Sequence, residues 1–546
     1  MSATPEHQTS AGWVWPELLP ELEEKIFSFL GPNDIPIFRQ INKAAAAQFC
    51  EPQHKTFRLS APVSSQAFAA HWLAPGATKG LTLSRRRQLL CLVAASGVVA
   101  NLKLAVVAAG CLPTLEVFKA AAAAGKLDAC MWLREQGCSM ASSWHRGSDL
   151  LAAAAGGGHR HVCEWLLGLG LAWSSDGAAA AARSGHLDLM EWLLEQRPPL
   201  SEGRYGDADS TKKELILGVV HGCDLPTLKR LWTGWGEISD SMKWGALAAA
   251  AGSPTPDWAA KVEWLEAQGC PRTPFSCGEA ARRPDAEAVD RLAWLLQRGY
   301  PVSAPAIKAS ALAGNVEAFS YLMGALRDPE YQSEYADVGL HASIGGNLQI
   351  LQTLQAFGWL SDPPGCAQQL AGRGRVEALA WLVETRGNAA LHLHPYLVNA
   401  AAASGSVEML AWVRALGLPW NRTTLWTAIT VGCAEAAEWL VARGCRIEEL
   451  DDVYGSVCAN GDLAMAELLR RLGVPWGPAG SDVDRAARHA PLPMLRWLLE
   501  EGCPIDDYER AMEEAMKREG GDRDEAAELL AWHWEAQQAA EAAQRA

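Results

Sequence analysis

Apolar residues return every three or four positions along most of this chain, and the pattern is cut at short intervals by glycine. In residues 178–196, AAAAARSGHLDLMEWLLEQ, an alanine-rich stretch precedes Gly185, and Leu187, Met190, Leu193 and Leu194 follow it on one face of a 3.6-residue period. Alanine favours helix strongly, and its small side chain lets neighbouring helices approach closely. Glycine breaks the first helix and opens a tight turn. The unit predicted is helix, turn, helix.

The second half of that unit recurs as a phrase, roughly G-[HN]-[LV]-[DE]-x-x-x-W-L-x-x-x-G-C. Copies include GKLDACMWLREQGC around Trp132, GRVEALAWLVETRG around Trp381, GSVEMLAWVRALG around Trp412 and GCAEAAEWLVARGC around Trp439. Self-similarity at a period of about 20–50 residues marks a stacked solenoid, in which each unit buries its apolar face on its neighbours. Gly269-Cys270-Pro271, Gly417-Leu418-Pro419, Gly473-Val474-Pro475 and Gly502-Cys503-Pro504 end second helices, since glycine takes the left-handed cap and proline prevents continuation. The tryptophan is expected to fill the gap between stacked helix pairs. The fold expected is all-α, an α-solenoid of about 13 units over residues 91–515. A C-terminal capping helix and polar tail follow at 516–546, and a connecting helical segment spans 51–90. Polar stretches at 198–213, 253–257 and 326–336 read as insertions.

The A-A-x-x-G-H-x-x-x-x-x-x-L-L run around Gly185, with its counterpart AAASGSVEMLAWV around Gly405, resembles the ankyrin repeat. The resemblance covers roughly residues 90–515. The T-P-L-H tetrapeptide of that family is absent from every copy, and several units fall short of the family's length of about 33 residues. In such stacks the first helices line a concave face. Here larger or polar side chains interrupt the alanine pattern at His341, Gln368, Gln369, Tyr396, Asn399, Trp426 and Tyr454, which makes them the expected contacts for a protein target.

Residues 15–50 differ. Leu18, Leu22, Ile26, Phe29 and Leu30 form one apolar side, Gly31-Pro32 stops the helix, and Asn33 or Asp34 can cap a next one carrying Ile37, Ile41 and Ala45. Leu19-Pro20, Ile26-Phe27-Ser28-Phe29-Leu30, Asp34-Ile35 and Phe38-Arg39-Gln40-Ile41-Asn42 resemble an F-box. The resemblance implies a substrate receptor that docks on the Skp-type adaptor of a cullin–RING ubiquitin ligase. Leu19, Pro20, Leu22, Ile26, Leu30, Ile35 and Ile41 would make the adaptor contact. The alternative is an ankyrin scaffold with no ligase link, whose N-terminal helices shield the first repeats. Residues 1–14 are expected to be disordered.

Composition narrows the chemistry. The net charge is −15, with 63 acidic and 48 basic side chains, and this sets nucleic acid and anionic membranes aside as expected partners. The compact basic run Arg85-Arg86-Arg87 reads as a solvated helix start. The 14 cysteines form no C-x-x-C pair; Cys111, Cys138, Cys270, Cys445 and Cys503 each follow a helix-ending glycine, where a small buried hydrophobe fits. Free thiols suit a cytoplasmic or nuclear setting. The start lacks a charged region followed by an apolar stretch, so no secretory signal is expected. Gly156-Gly157-Gly158 lacks the lysine of a phosphate loop, and neither His159/His161 nor His392/His394 has the spacing of a helical metal pair. No catalytic signature, metal site or cofactor is expected.

Overall fold

The computed structural model describes residues 25, 29–31, 33–39, 43–140, 148–196, 208–283, 287–326, 335–390, 395–447, 450, 453–477, 480–518 and 522–545. Every regular element among them is helical. Fifteen helix pairs follow one another from Leu83–Ser96 with Val99–Ala109 to Tyr508–Met516 with Arg523–Arg545. The first helices of successive pairs lie side by side along the inner row, and the second helices form a looser outer row. Alanine makes the close inner row possible: Ala121, Ala154, Ala181, Ala250 and Ala401 are fully buried where inner helices meet.

The repeated phrase has a specific geometry. Gly417 and Gly473 sit at φ 84 and 74, ending second helices in the left-handed conformation expected of them. The glycine between the two helices of a unit does a second job. A side chain on Gly125 would meet the His159 ring at 2.4 Å, and one on Gly158 would meet His186 at 2.7 Å. The residue after each turn glycine therefore packs on the turn of the preceding unit. Asn347 Nδ2 donates to the Gly314 carbonyl at 3.3 Å, and the Cys433 thiol to Gly405 at 3.2 Å. The G-H and G-N pairs of the sequence are a ladder of touching turns.

The tryptophans of the repeated phrase, such as Trp132, Trp381, Trp412 and Trp439, stand half-buried against the core. Trp232 and Trp264, on second helices of consecutive units, meet edge-on at 5.5 Å, and Trp420, in the joint between units, meets Trp439 edge-on at 5.6 Å. Guanidinium groups cover their outer faces: Arg414 over Trp420 at 4.2 Å, Arg443 over Trp439 at 4.0 Å, Arg470 over Trp476 at 4.2 Å. The five cysteines after helix-ending glycines are buried, and burial pushes the thiols of Cys111, Cys138, Cys270 and Cys503 up, Cys138 to about 12 and Cys270 to about 11.

Two units replace the turn ladder with a cation. Lys261, fully buried, donates to the Val220 and Cys223 carbonyls and to Ser253 Oγ at 2.7, 2.9 and 2.7 Å. Arg291 donates to the Ala251 and Ser253 carbonyls at 3.2 and 2.7 Å in the next unit. Each supplies donors to carbonyls that an ending helix leaves open.

At the N-terminus the structure departs from the sequence reading. The single helix expected through Ile37, Ile41 and Ala45 is instead two, Asp34–Phe38 and Lys43–Gln48. Asn33 does not cap the first with its side chain. Its amide is buried and spans to the chain at Arg58–Pro62, donating to the Arg58, Ala61 and Pro62 carbonyls at 2.8, 3.2 and 3.0 Å while accepting from the Arg58 amide at 2.7 Å. Phe49 is buried edge-on to Phe38 and His54.

The array also meets itself. The first pair lies against the turns of the units at 395–415, 422–442 and 453–471. Arg86 is 3% exposed there and chelates Asp462, with bonds of 2.8 and 2.6 Å. Arg86 thus departs from the solvated helix start expected of Arg85-Arg86-Arg87: its partner lies 376 positions away in sequence and leaves no local mark.

Candidate ligand groove

The residues expected to meet a target scatter along the inner row. Gln368 and Tyr396 are exposed, the latter 66%. Gln369 accepts from Arg373 at 2.8 Å on its own helix. His341 is half-buried with Nδ1 on its own Asp337 carbonyl at 2.8 Å. Asn399 takes the Thr424 hydroxyl at 2.7 Å and joins two neighbouring first helices. Tyr454 has no surface to offer a target: it is fully buried, its hydroxyl donates to Val474 at 3.0 Å, and its ring packs 4.4 Å from Trp476. Of the seven, Trp426 lines a groove.

That groove, of about 600 Å³, crosses four consecutive first helices, Arg422–Val431, Val453–Ala459, Ser481–His489 and Tyr508–Met516. Trp426, 40% exposed, stands at one end and Arg510 at the other. Arg485, Arg488 and His489 are exposed between them. The guanidiniums are held in place by neighbours. Arg485 donates to Ser456 Oγ at 2.9 Å, Arg488 to Glu514 at 3.2 Å, and Arg510 lies 2.9 Å from Asp484 Oδ2. Burial raises the Asp484 carboxyl above the usual range, although Arg510 opposes it. Three fixed cations, two carboxylates, hydroxyls and an open indole can hold an extended ligand that is anionic in part. The signal was present in SDVDRAARH, where polar residues at 484, 485, 488 and 489 occupy one helical face in place of the usual alanines.

The adaptor contact has less to stand on. Leu19, Pro20, Leu22, Ile26 and Ile41 lie outside the described residues. Leu30 is half-buried, and Ile35 is buried against its own chain. Among the described residues no group of three His, Cys, Asp or Glu is placed to hold a metal ion, and no helix is long and apolar enough to cross a membrane. His159 and His161 have ring centroids 5.9 Å apart, and His161 Nε2 bonds the Gly125 carbonyl.

No family model and no curated protein matches the chain. Among solved structures it is similar to the pentatricopeptide repeat protein PPR10 from maize, at 14% identity and a TM-score of 0.24, over 95% of this chain and 82% of that one. It is likewise similar to PPR10 in complex with an 18-nt psaJ RNA element, at 14% identity and a TM-score of 0.26, over 91% of this chain and 83% of that one. A cysteine-substituted form of the same complex aligns at 13% identity and a TM-score of 0.21, over 91% and 90%. Likeness at this level is of helix-pair arrays in general and carries nothing about this chain's ligand.

Three expectations are corrected. The ankyrin resemblance does not hold: no family model matches the chain. Among the described residues no strand forms in the joints between units, such as Ala267 to Pro274 or Glu500 to Tyr508. The F-box resemblance, and the adaptor, cullin and ubiquitin-ligase role drawn from it, find no match either. The exclusion of nucleic acid also falls, because the net charge of −15 averages over the whole chain and over a groove in which arginines gather.

Proposed function

We propose that the chain is a non-enzymatic binding scaffold that holds an extended, partly acidic polypeptide segment along its inner groove. The observation carrying this reading is the convergence of exposed Trp426 with Arg485, Arg488 and Arg510 on consecutive first helices. An indole gives an anchor of large contact area, and guanidiniums recognise carboxylates in a defined geometry. Asp484 and Glu514 suit a peptide that brings its own cations as well as carboxylates. The buried, raised thiols fit a reducing, cytoplasmic or nuclear setting.

A second reading takes the same pairing as a platform for single-stranded nucleic acid, with a base on the indole and phosphates on the guanidiniums. Fluorescence anisotropy with labelled acidic peptides and with a labelled mixed-sequence RNA, at about 50 and 200 mM salt, separates the two. The expected result is peptide binding that Arg485→Glu with Arg488→Glu weakens at least tenfold, at an unchanged urea midpoint. RNA binding with a steep salt dependence, lost in the same variant, replaces the first reading with the second. Equal binding of either probe by wild type and variant removes the groove as the site.

A further inference from the structure

Solenoid units touch only their neighbours, so a contact between distant units is an addition that stacking does not require. Here the loop and first pair at residues 78–112 meet the turns of three units far along the chain. The contacts are backbone-to-backbone and ionic. The Glu435 amide donates to the Lys79 carbonyl at 3.0 Å, Ala464 to Gly110 at 2.8 Å, and Leu112 to Gly461 at 3.0 Å. Lys79 pairs with Glu438, and Arg87 donates to the Asn460 carbonyl. At the centre Arg86 holds four acceptors: both oxygens of Asp462, the Ala109 carbonyl and the Gly432 carbonyl, the last two at 2.8 Å.

Two features set this seam apart from the stacking inside the array. The first is that it completes helix ends. Glu435 and Ala464 are second residues of the helices Ala434–Ala442 and Leu463–Arg471, and first-turn amides have no partner within their own helix. Carbonyls of the N-terminal segment supply that partner. Asp462 serves both sides at once, since its Oδ1 also accepts from the Met465 amide at 3.1 Å. Where other turns carry His159, His186, Asn347 or Ser406 after their glycine, this one carries a carboxylate. The second feature is polarity. The surfaces approach closely because glycine faces them: a side chain on Gly405 would meet Thr82 Cγ2 at 2.5 Å, and one on Gly110 would meet Ala464 Cβ at 2.5 Å. Stacked units bury continuous apolar surface, but this contact joins main chain, two ion pairs and a few side chains such as Thr82, Leu83 and Leu112. Parting it exposes groups that water can satisfy, whereas parting two stacked units exposes core.

We infer that the seam is a latch. The array has a closed state, pinned by Arg86 and Asp462, and an open state in which the stack is intact but its first pair has left the units at 405–464. The latch sets curvature, and it also reaches the groove, because Arg87 holds the carbonyl of Asn460 and Asn460 lines that groove. Opening therefore relaxes the first helices that form the groove wall. This goes beyond the binding reading and does not depend on it.

Hydrogen exchange of the full chain reads the latch at single amides. In wild type, Glu435 and Ala464 are expected to exchange at least tenfold more slowly than the unpaired first-turn amides of second helices elsewhere. Arg86→Gln is expected to remove that protection from Glu435, Ala464 and Leu112 together, while amides of the helices Glu287–Gln297 and Val316–Ala325 keep theirs. Asp462→Asn, which keeps an acceptor for Met465 but loses the charge, should do the same and leave Met465 protected. Unprotected Glu435 and Ala464 in wild type would mean that the closed state is not the one in solution. Full protection in both variants would mean that the ion pair is not the latch. Uniform loss across the array in both would mean that the seam and the stack open as one, which also overturns the proposal.

Discussion

Single side chains in this array act where the repeat pattern fails. Lys261 is the sharpest case, a fully buried amine ringed by two carbonyls and a hydroxyl. Burial lowers its pKa to about 8, although nearby Asp257 opposes the shift. The unfolded chain holds the same proton up to its ordinary value of about 10.4. Between pH 8 and 10 the unfolded state is therefore the more protonated, and the stability that depends on Lys261 rises with pH. Against Lys261→Met, wild type is expected to gain about 2 kcal/mol over that window, measured as urea midpoints at the two pH values. Equal shifts in both proteins would contradict the assignment. The residue scale is also where sequence reading did worst. Tyr454 and Trp426 stand one place apart in register, seven and six residues before the turn glycines Gly461 and Gly432. That step turns the first, like Leu425 in the unit before, into the core against Trp476 and Val474, and the second to the groove.

At the scale of the element, the tryptophan phrase was legible because period and spacing are local. Glycine caps, alanine-rich first helices and buried cysteines follow from the same register, and the structure has all of them. Two glycines of one unit show what the phrase leaves out. Gly432 and Gly444 are both left-handed, at φ 78 and 85. A methyl group on Gly444 meets nothing within 4 Å, but on Gly432 it meets Leu83 Cβ at 2.6 Å and Asp462 Oδ2 at 2.5 Å. Gly444→Ala is expected to cost about 1 kcal/mol, the strain of the conformation alone. Gly432→Ala adds a steric conflict worth about 1–3 kcal/mol more and opens the seam. Equal thermal denaturation of the two variants would show that nothing packs on Gly432. The N-terminal helices were misread at this scale, because the four-residue spacing of Ile37, Ile41 and Ala45 carries no sign of Asn33 reaching back to Arg58–Pro62.

Over the whole molecule, the stack is one continuous apolar core that returns on itself. Nothing in the linear pattern foretold the return, since Arg86 sits in an ordinary basic run and Asp462 at an ordinary turn. The groove lies just beyond the seam, on the last four first helices, so the closed form places the N-terminal pair beside the candidate ligand site. Closure is thus the central claim, and one chemical measurement reaches it directly. Lys79 and Glu438 form an ion pair across the seam, and a zero-length carbodiimide joins only an amine and a carboxylate already in contact. In the monomeric full chain, mass spectrometry is expected to find the Lys79–Glu438 linkage alongside the neighbouring-unit linkage of Lys308 to Asp337. It should lose the first and keep the second in Arg86→Gln. Recovery of Lys308–Asp337 without Lys79–Glu438 in wild type would contradict the closed array.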